Sequence, residues 1–118
     1  MRQTFPKKEH LTGKTAFEEL FQNGKSATAP PLRMIWMPSK IAGPHRAGFT
    51  VPRRSFGKAV MRNRLKRRMR EAYRKNKLIL SELHPALDLL FIYSARDERG
   101  YDEIEQKMIL SLRKLAHQ

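Results

Sequence analysis

Residues 58–77, KAVMRNRLKRRMREAYRKNK, place ten of the chain's twenty-five lysines and arginines in twenty positions, with Glu71 the single acid among them. Advancing about 100° per residue from Met61, a helix gathers Met61, Leu65, Met69, Ala72 and Tyr73 into one apolar stripe. Asn63, Arg64, Lys66, Arg67, Arg70, Arg74 and Lys75 sweep the rest of the circumference, and Arg62 and Arg68 fall at the stripe's edges. Such a helix buries its stripe against other elements and presents its guanidinium groups. The fold is therefore whatever offers this helix a single apolar surface to cover.

Before the helix, AGFTVP, ending at Pro52, reads as a strand, and LRMIWM, residues 32–37, as another, with Met34 and Trp36 on one face and Ile35 and Met37 on the other. PSKIAGPHR joins them as a loop, and a connection of this length makes the two strands most simply antiparallel neighbours. KSATAPP leaves room for an extra edge strand near Lys25–Ala27. LTGKTAFEELFQNG forms a short helix carrying Phe17, Leu20 and Phe21, with Thr12 or Thr15 as its cap and Asn23-Gly24 as its stop. Residues 1–11 read as a loosely held tail. After the basic helix, LDLLFIYSA, residues 87–95, is apolar apart from Asp88 and too short for a buried helix, so it reads as an interior strand. Residues 97–118 close the chain as an amphipathic helix with Ile104, Met108, Ile109, Leu112, Leu115 and Ala116 on one side. Its acids come first and Arg113 and Lys114 last, as the helix dipole favours. The order is α-β-β-α-β-α with space for one more strand, an α+β arrangement of helices on one small sheet.

A chain of 118 residues fits one domain, and a mean hydropathy of -0.66 fits a modest core. The absence of cysteine excludes disulfides, thiolate metal sites and thiol nucleophiles. His10, His45, His84 and His117 have no metal-ligand spacing. With no apolar run near the roughly 18 residues of a membrane span, and no hydrophobic segment behind the N-terminal charges, the expected location is cytoplasmic. The formal charge of +14 is concentrated: residues 53–77 carry twelve bases and one acid, whereas residues 78–118 carry five bases and seven acids.

Charge runs are ordinarily solvated faces. Here bases three and four positions apart repel one another, and Glu71 alone does not relieve Arg67, Arg68, Arg74 and Lys75. Arg74 or Lys75 is the residue expected to pair with it or with the C-terminal acids. A polyanion is the natural partner for the rest. An anionic bilayer is a poor candidate, because the apolar stripe is small and needed in the core. Nucleic acid fits better: arginine outnumbers lysine six to one over Arg62–Arg74, and its planar fork holds phosphate oxygens and stacks on bases. Asn63 adds an amide suited to a base edge or a 2′-hydroxyl. A major-groove DNA reader would need a helix before Lys58, where the sequence has a strand. A ribosomal or general RNA-binding protein shares the size and charge.

FTVPRRSFGKAVMRNRLKRRMREAYR, residues 49–74, resembles the signature of the protein subunit of bacterial ribonuclease P: a strand, two adjacent bases, a glycine turn, then K-A-V-x-R-N-R-x-K-R-x-x-R. Lys58-Ala59-Val60, Arg62-Asn63-Arg64, Lys66-Arg67 and Arg70 match in place. The resemblance implies an α-β-β-β-α-β-α fold, similar to the second domain of a small-subunit ribosomal protein, with a left-handed β-α-β crossover through the basic helix. It also implies a role. The family's RNA subunit carries out the Mg²⁺-dependent hydrolysis that removes the 5′ leader of precursor tRNA, and the protein binds that RNA and the leader. Lys58, Arg62, Asn63, Arg64, Lys66, Arg67, Arg68 and Arg70 are thereby expected on the RNA subunit. Phe17, Phe21, Trp36, Arg53 and Arg54 are expected on the leader or precursor tRNA, although periodicity alone would put Phe17 and Phe21 in the core. No catalytic side chain and no protein-bound metal are expected, and the protein is expected to be monomeric apart from RNA.

Two departures stand out. Pro52 occupies a position where the family more often has a small polar residue. Ser94-Ala95-Arg96-Asp97-Glu98 is acidic where a basic turn is common in the family. Asp97, Glu98, Asp102, Glu103 and Glu105 read as a loop and helix start, complementing the dipole of the last helix.

Overall fold

The apolar run at 87–93 is the centre of the molecule. In the computed structural model, which describes residues 4–83 and 85–117, the elements are α1 (Lys14–Asn23), β1 (Lys25–Ala29), β2 (Leu32–Pro38), β3 (Arg46–Thr50), α2 (Ala59–Asn76), β4 (Leu87–Tyr93) and α3 (Tyr101–Ala116). The extra strand for which KSATAPP left room is β1, so the order is α-β-β-β-α-β-α. The four strands form one sheet in the order β1-β2-β4-β3.

β2 and β3 are therefore not the antiparallel neighbours expected from their short connection. β4 lies between them, antiparallel to β2 and parallel to β3. The reason is burial. β4 is apolar on both faces, with Leu89, Phe91 and Tyr93 on one and Leu90 and Ile92 on the other, so it takes the interior position. The long crossover through α2 then allows β3 and β4 to run parallel.

α2 and α3 share one face of the sheet. Leu65, Met69, Ala72 and Tyr73 from α2, and Ile104, Met108, Leu112 and Leu115 from α3, pack against Leu32, Met34, Trp36, Leu89, Phe91 and Tyr93. On the opposite face, α1 packs Leu20 and half-buried Phe17, together with Leu11 from the segment before it, against Ile35 and Leu90. The alternation of Met34 and Trp36 against Ile35 and Met37 is as the sequence indicates. Asp88, the one acid in β4, is buried and receives two hydrogen bonds from its register partner Arg46, Nε to Oδ1 at 3.0 Å and Nη2 to Oδ2 at 2.8 Å.

Residues 4–11 are not a loose tail; residues 1–3 of the expected tail, like His84, lie outside the described residues. Lys7–Glu9 form a 3-10 turn, His10 bridges to Ala47, and the Leu11 amide donates to the Ala47 carbonyl at 2.9 Å. β3 is an edge strand with unpaired backbone groups, and this segment satisfies some of them. Phe5 fastens it, meeting Phe49 and Tyr73 edge-on at 5.9 and 5.6 Å.

Neither threonine caps α1. Gly13, at φ 101°, is the residue before its first turn, with no side-chain cap. Gly24 ends the helix as expected, but for a steric reason: its φ is an ordinary −77°, and a β-carbon there would fall 2.6 Å from the Leu20 carbonyl oxygen and 2.5 Å from Ile35 Cγ2.

Candidate nucleic-acid interface

The buried stripe fixes α2 rotationally, so its polar side chains leave in defined directions. Its first turn has no acid and Lys58, at the N-cap, makes no side-chain cap. The two arginines at the stripe's edges are held by the protein itself. Arg62 Nη1 donates to the carbonyls of Phe56 at 2.9 Å and Gly57 at 2.8 Å, closing the loop that leads into the helix. Arg68 Nη1 donates to the Arg99 carbonyl at 2.7 Å.

The side of α2 nearest α3 carries the remaining pairing. Glu98 Oε2 accepts from Arg68 Nη2 at 2.7 Å and Arg64 Nη1 at 3.4 Å. The Arg68 hydrogen bond, followed by that from Arg64, holds the Glu98 carboxyl below the usual range. Arg74 pairs with Glu71, as expected, with Nε to Oε2 at 3.0 Å, and this hydrogen bond lowers the Glu71 carboxyl. Lys75 lies over the Tyr101 ring at 5.6 Å. Asp102 and Glu103 do stand in the first turn of α3, where they complement its dipole. Glu98 does not belong to that set; it reaches α2.

The outward side is different. Asn63 and Arg67 are exposed, and Arg67 makes no ion pair among the described residues. On the third side, Lys66 and Arg70 border a cleft of about 190 Å³ whose lining includes Phe17, Leu11, Gly48 and Phe49. The cleft opens where α1, the β3 edge and α2 converge.

Beside α1 the sheet is only partly covered, because ten helical residues span about 15 Å. Thr28, Arg33, Ile92 and Thr50 are register partners in a row across all four strands. Arg33 shares a face with Ile35, which packs under α1, yet it is itself exposed. Phe21, one turn beyond Phe17 on the same side of α1, is 57% exposed. A half-open aromatic helix and a mostly polar row thus lie on one face of the sheet, and at its β3 edge the cleft joins Phe17 of α1 to the bases of α2, features suited to an unpaired strand by stacking and by charge.

The family described as Ribonuclease P matches residues 5–116. The chain belongs to this family. Among curated relatives, the ribonuclease P protein component of Petrotoga mobilis is 32% identical over 120 residues, covering 96% of each chain. That of Porphyromonas gingivalis is 35% identical over 82 residues, covering 65% of this chain and 58% of the relative, so the chain spans little more than half the length of that relative. Among solved structures, the RNase P protein of Thermotoga maritima has a TM-score of 0.75 to this fold, with 25% identity over 90% of this chain and 96% of that one. The Staphylococcus aureus RNase P protein gives 0.69 at 20% identity, over 91% and 94%. The α+β architecture is thus that of ribonuclease P proteins.

The residues that the ribonuclease P signature marks do not form one patch. Lys58, Asn63, Arg64, Arg67 and Arg70 are exposed on α2, Lys66 and Arg70 turn toward the Phe17 cleft, and Arg62 and Arg68 are engaged by main-chain carbonyls. Arg53 and Arg54 are exposed in the turn after β3 and are not among the residues lining the cleft. Trp36 is a correction: it is 7% exposed and packs on the α2/α3 side of the sheet, opposite Phe17. Its parity with Met34 carries that information in the sequence. Arg33 was missed, and its parity with Ile35 was the available signal. The placement of Lys66 and Arg70 beside Phe17 had no sequence signal, because it depends on how the β3 edge brings α1 and α2 together.

Proposed function

We propose that this protein is the RNA-binding subunit of a ribonuclease P, acting in the cytoplasm as a monomer apart from its RNA partners. Asn63 and Arg67 bind the ribonuclease P RNA from the outward side of α2, with Arg64 beside them on the side nearest α3. The cleft bordered by Phe17, Lys66 and Arg70, extended by Phe21 and Arg33, takes the 5′ leader of precursor tRNA. Arg53 and Arg54 hold phosphates beside it. Hydrolysis belongs to the RNA, with its Mg²⁺. On the protein, no three His, Asp or Glu side chains converge among the described residues, and the acids nearest the bases are already engaged by arginines.

One observation carries the reading: a single helix faces two surfaces, one polar and predominantly basic and one basic and aromatic. The first suits a folded RNA recognised through phosphates, the second an unpaired strand whose sequence varies. The helix ties the two together, as an assembly that presents a leader to an RNA catalyst requires.

The test is reconstitution. At low Mg²⁺, the protein added to a bacterial ribonuclease P RNA is expected to restore cleavage of precursor tRNA at the mature 5′ end, while the protein alone cuts nothing. Failure to associate with that RNA at moderate salt, or cleavage without it, overturns the reading.

A further inference from the structure

Among the described residues, Glu98 is the one acid that pairs with signature arginines from another element. Its Oε2 lies between two guanidinium groups one helical turn apart, and a carboxylate oxygen so placed has the coordination that a phosphate oxygen takes between two arginine forks. The loop that brings it there is fastened. The Tyr93 hydroxyl donates to the Asp97 carbonyl at 2.7 Å and accepts from the Arg99 amide at 2.9 Å, and Arg99 in turn pairs with Asp97 at 2.9 Å and Glu103 at 2.5 Å. Arg68 closes the loop from the other side through the Arg99 carbonyl. Asn63 and Arg67, on the outward side of the same helix, receive no such anion among the described residues.

We propose that Arg64 and Arg68 form a phosphate subsite for RNA whose occupant before RNA arrives is the Glu98 carboxylate. A backbone phosphate entering the subsite displaces that carboxylate, and only the difference between the two anions appears as binding free energy. Glu98 thereby lowers the affinity of α2 for RNA and removes about one phosphate contact from its salt dependence. The acidic loop acts as a competing ligand that keeps two arginines ordered and offsets one of their two charges until a polyanion replaces it. This inference rests on the reading that α2 binds the ribonuclease P RNA.

The test compares Glu98→Gln with Asp102→Asn, which removes the same charge from an exposed position in the first turn of α3, by titrating a bacterial ribonuclease P RNA over a series of salt concentrations. Glu98→Gln is expected to bind about 3- to 10-fold more tightly at low salt, with a salt slope steeper by about one contact. Asp102→Asn is expected to change affinity less than twofold. In an Arg64→Ala, Arg68→Ala background the gain from Glu98→Gln should vanish. Equal or weaker binding by Glu98→Gln while Arg67→Ala still weakens binding overturns the subsite and leaves the function standing. So does a gain no larger than that of Asp102→Asn. If the unaltered protein does not bind the RNA, both fall.

Discussion

Phe17 rests on Gly48: a β-carbon at Gly48 would stand 3.1 Å from Phe17 Cε1 and 2.9 Å from the Leu11 carbonyl oxygen. The ring can be pushed aside, but the carbonyl belongs to the segment hydrogen-bonded to β3 and is harder to move. Gly48→Ala is therefore expected to cost about 1–3 kcal/mol in chemical denaturation. It should also weaken binding of precursor tRNA carrying a leader more than binding of mature tRNA.

Phe17→Ala is expected to separate the two ligands. Loss of the ring's stacking surface should reduce affinity for the leader by about 1–3 kcal/mol, read as the difference between precursor and mature tRNA. Affinity for the ribonuclease P RNA should be unchanged. Equal affinity for precursor in both proteins would remove Phe17 from the leader surface.

Arg62 and Arg67 belong to one signature, yet the structure gives them different work. Arg67→Ala should weaken RNA binding and flatten its salt dependence by about one contact, with stability unaltered. Arg62→Ala removes two hydrogen bonds to loop carbonyls and is expected to lower stability by about 1–2 kcal/mol. Parallel thermal melts and RNA titrations distinguish the two.

Asp88→Asn keeps the shape of the buried acid but leaves the Arg46 guanidinium, itself mostly buried, without its counter-charge. A loss of about 1–3 kcal/mol is expected in denaturant titration, since the pair is not fully sealed from water. Rescue by Arg46→Met in the same chain would show that the cost lies in the stranded charge.

The three tyrosines all resist ionisation. Burial raises Tyr73, with Glu9 adding to it, and burial is also the largest cause at Tyr93 and at Tyr101, which is pushed up to about 12. In each case the folded state holds the phenolic proton more tightly than the unfolded chain does. Their stabilising contribution is complete below about pH 10 and is lost as pH rises through the raised values. Tyrosinate absorbance should stay low in the folded protein near pH 10 and then appear together with alkaline unfolding. An ordinary titration of one or more tyrosines without unfolding would contradict this burial.

Elements marked by local pattern were legible in the sequence. The stripe of α2 and the alternation along β2 each follow from residues a few positions apart, and the structure keeps both. Strand order was not legible in the same way. The loop between β2 and β3 suggested neighbours, while the deciding fact was β4's need for cover on both faces, a property of the whole sheet. The docking of residues 4–11 likewise depends on an edge of β3 that exists only once the sheet is built. At the candidate site, the signature identified basic residues but not their directions. Arg62 and Arg68 stood at the stripe's edge, and that position, more than their charge, foretold their bonds to the protein's own carbonyls.

The interior place of β4 bears on how the chain matures. β2 and β3 emerge from the ribosome well before the strand that joins them, so a nascent chain from which β4 has not yet emerged has an antiparallel hairpin of β1 and β2 but no continuous sheet for α2 to cover. During that interval the most cationic part of the polypeptide is tethered, without its tertiary support, to a particle made largely of RNA. Emergence of β4 ends the exposure, and a delay between the emergence of α2 and that of β4 prolongs the risk of capture in the wrong place.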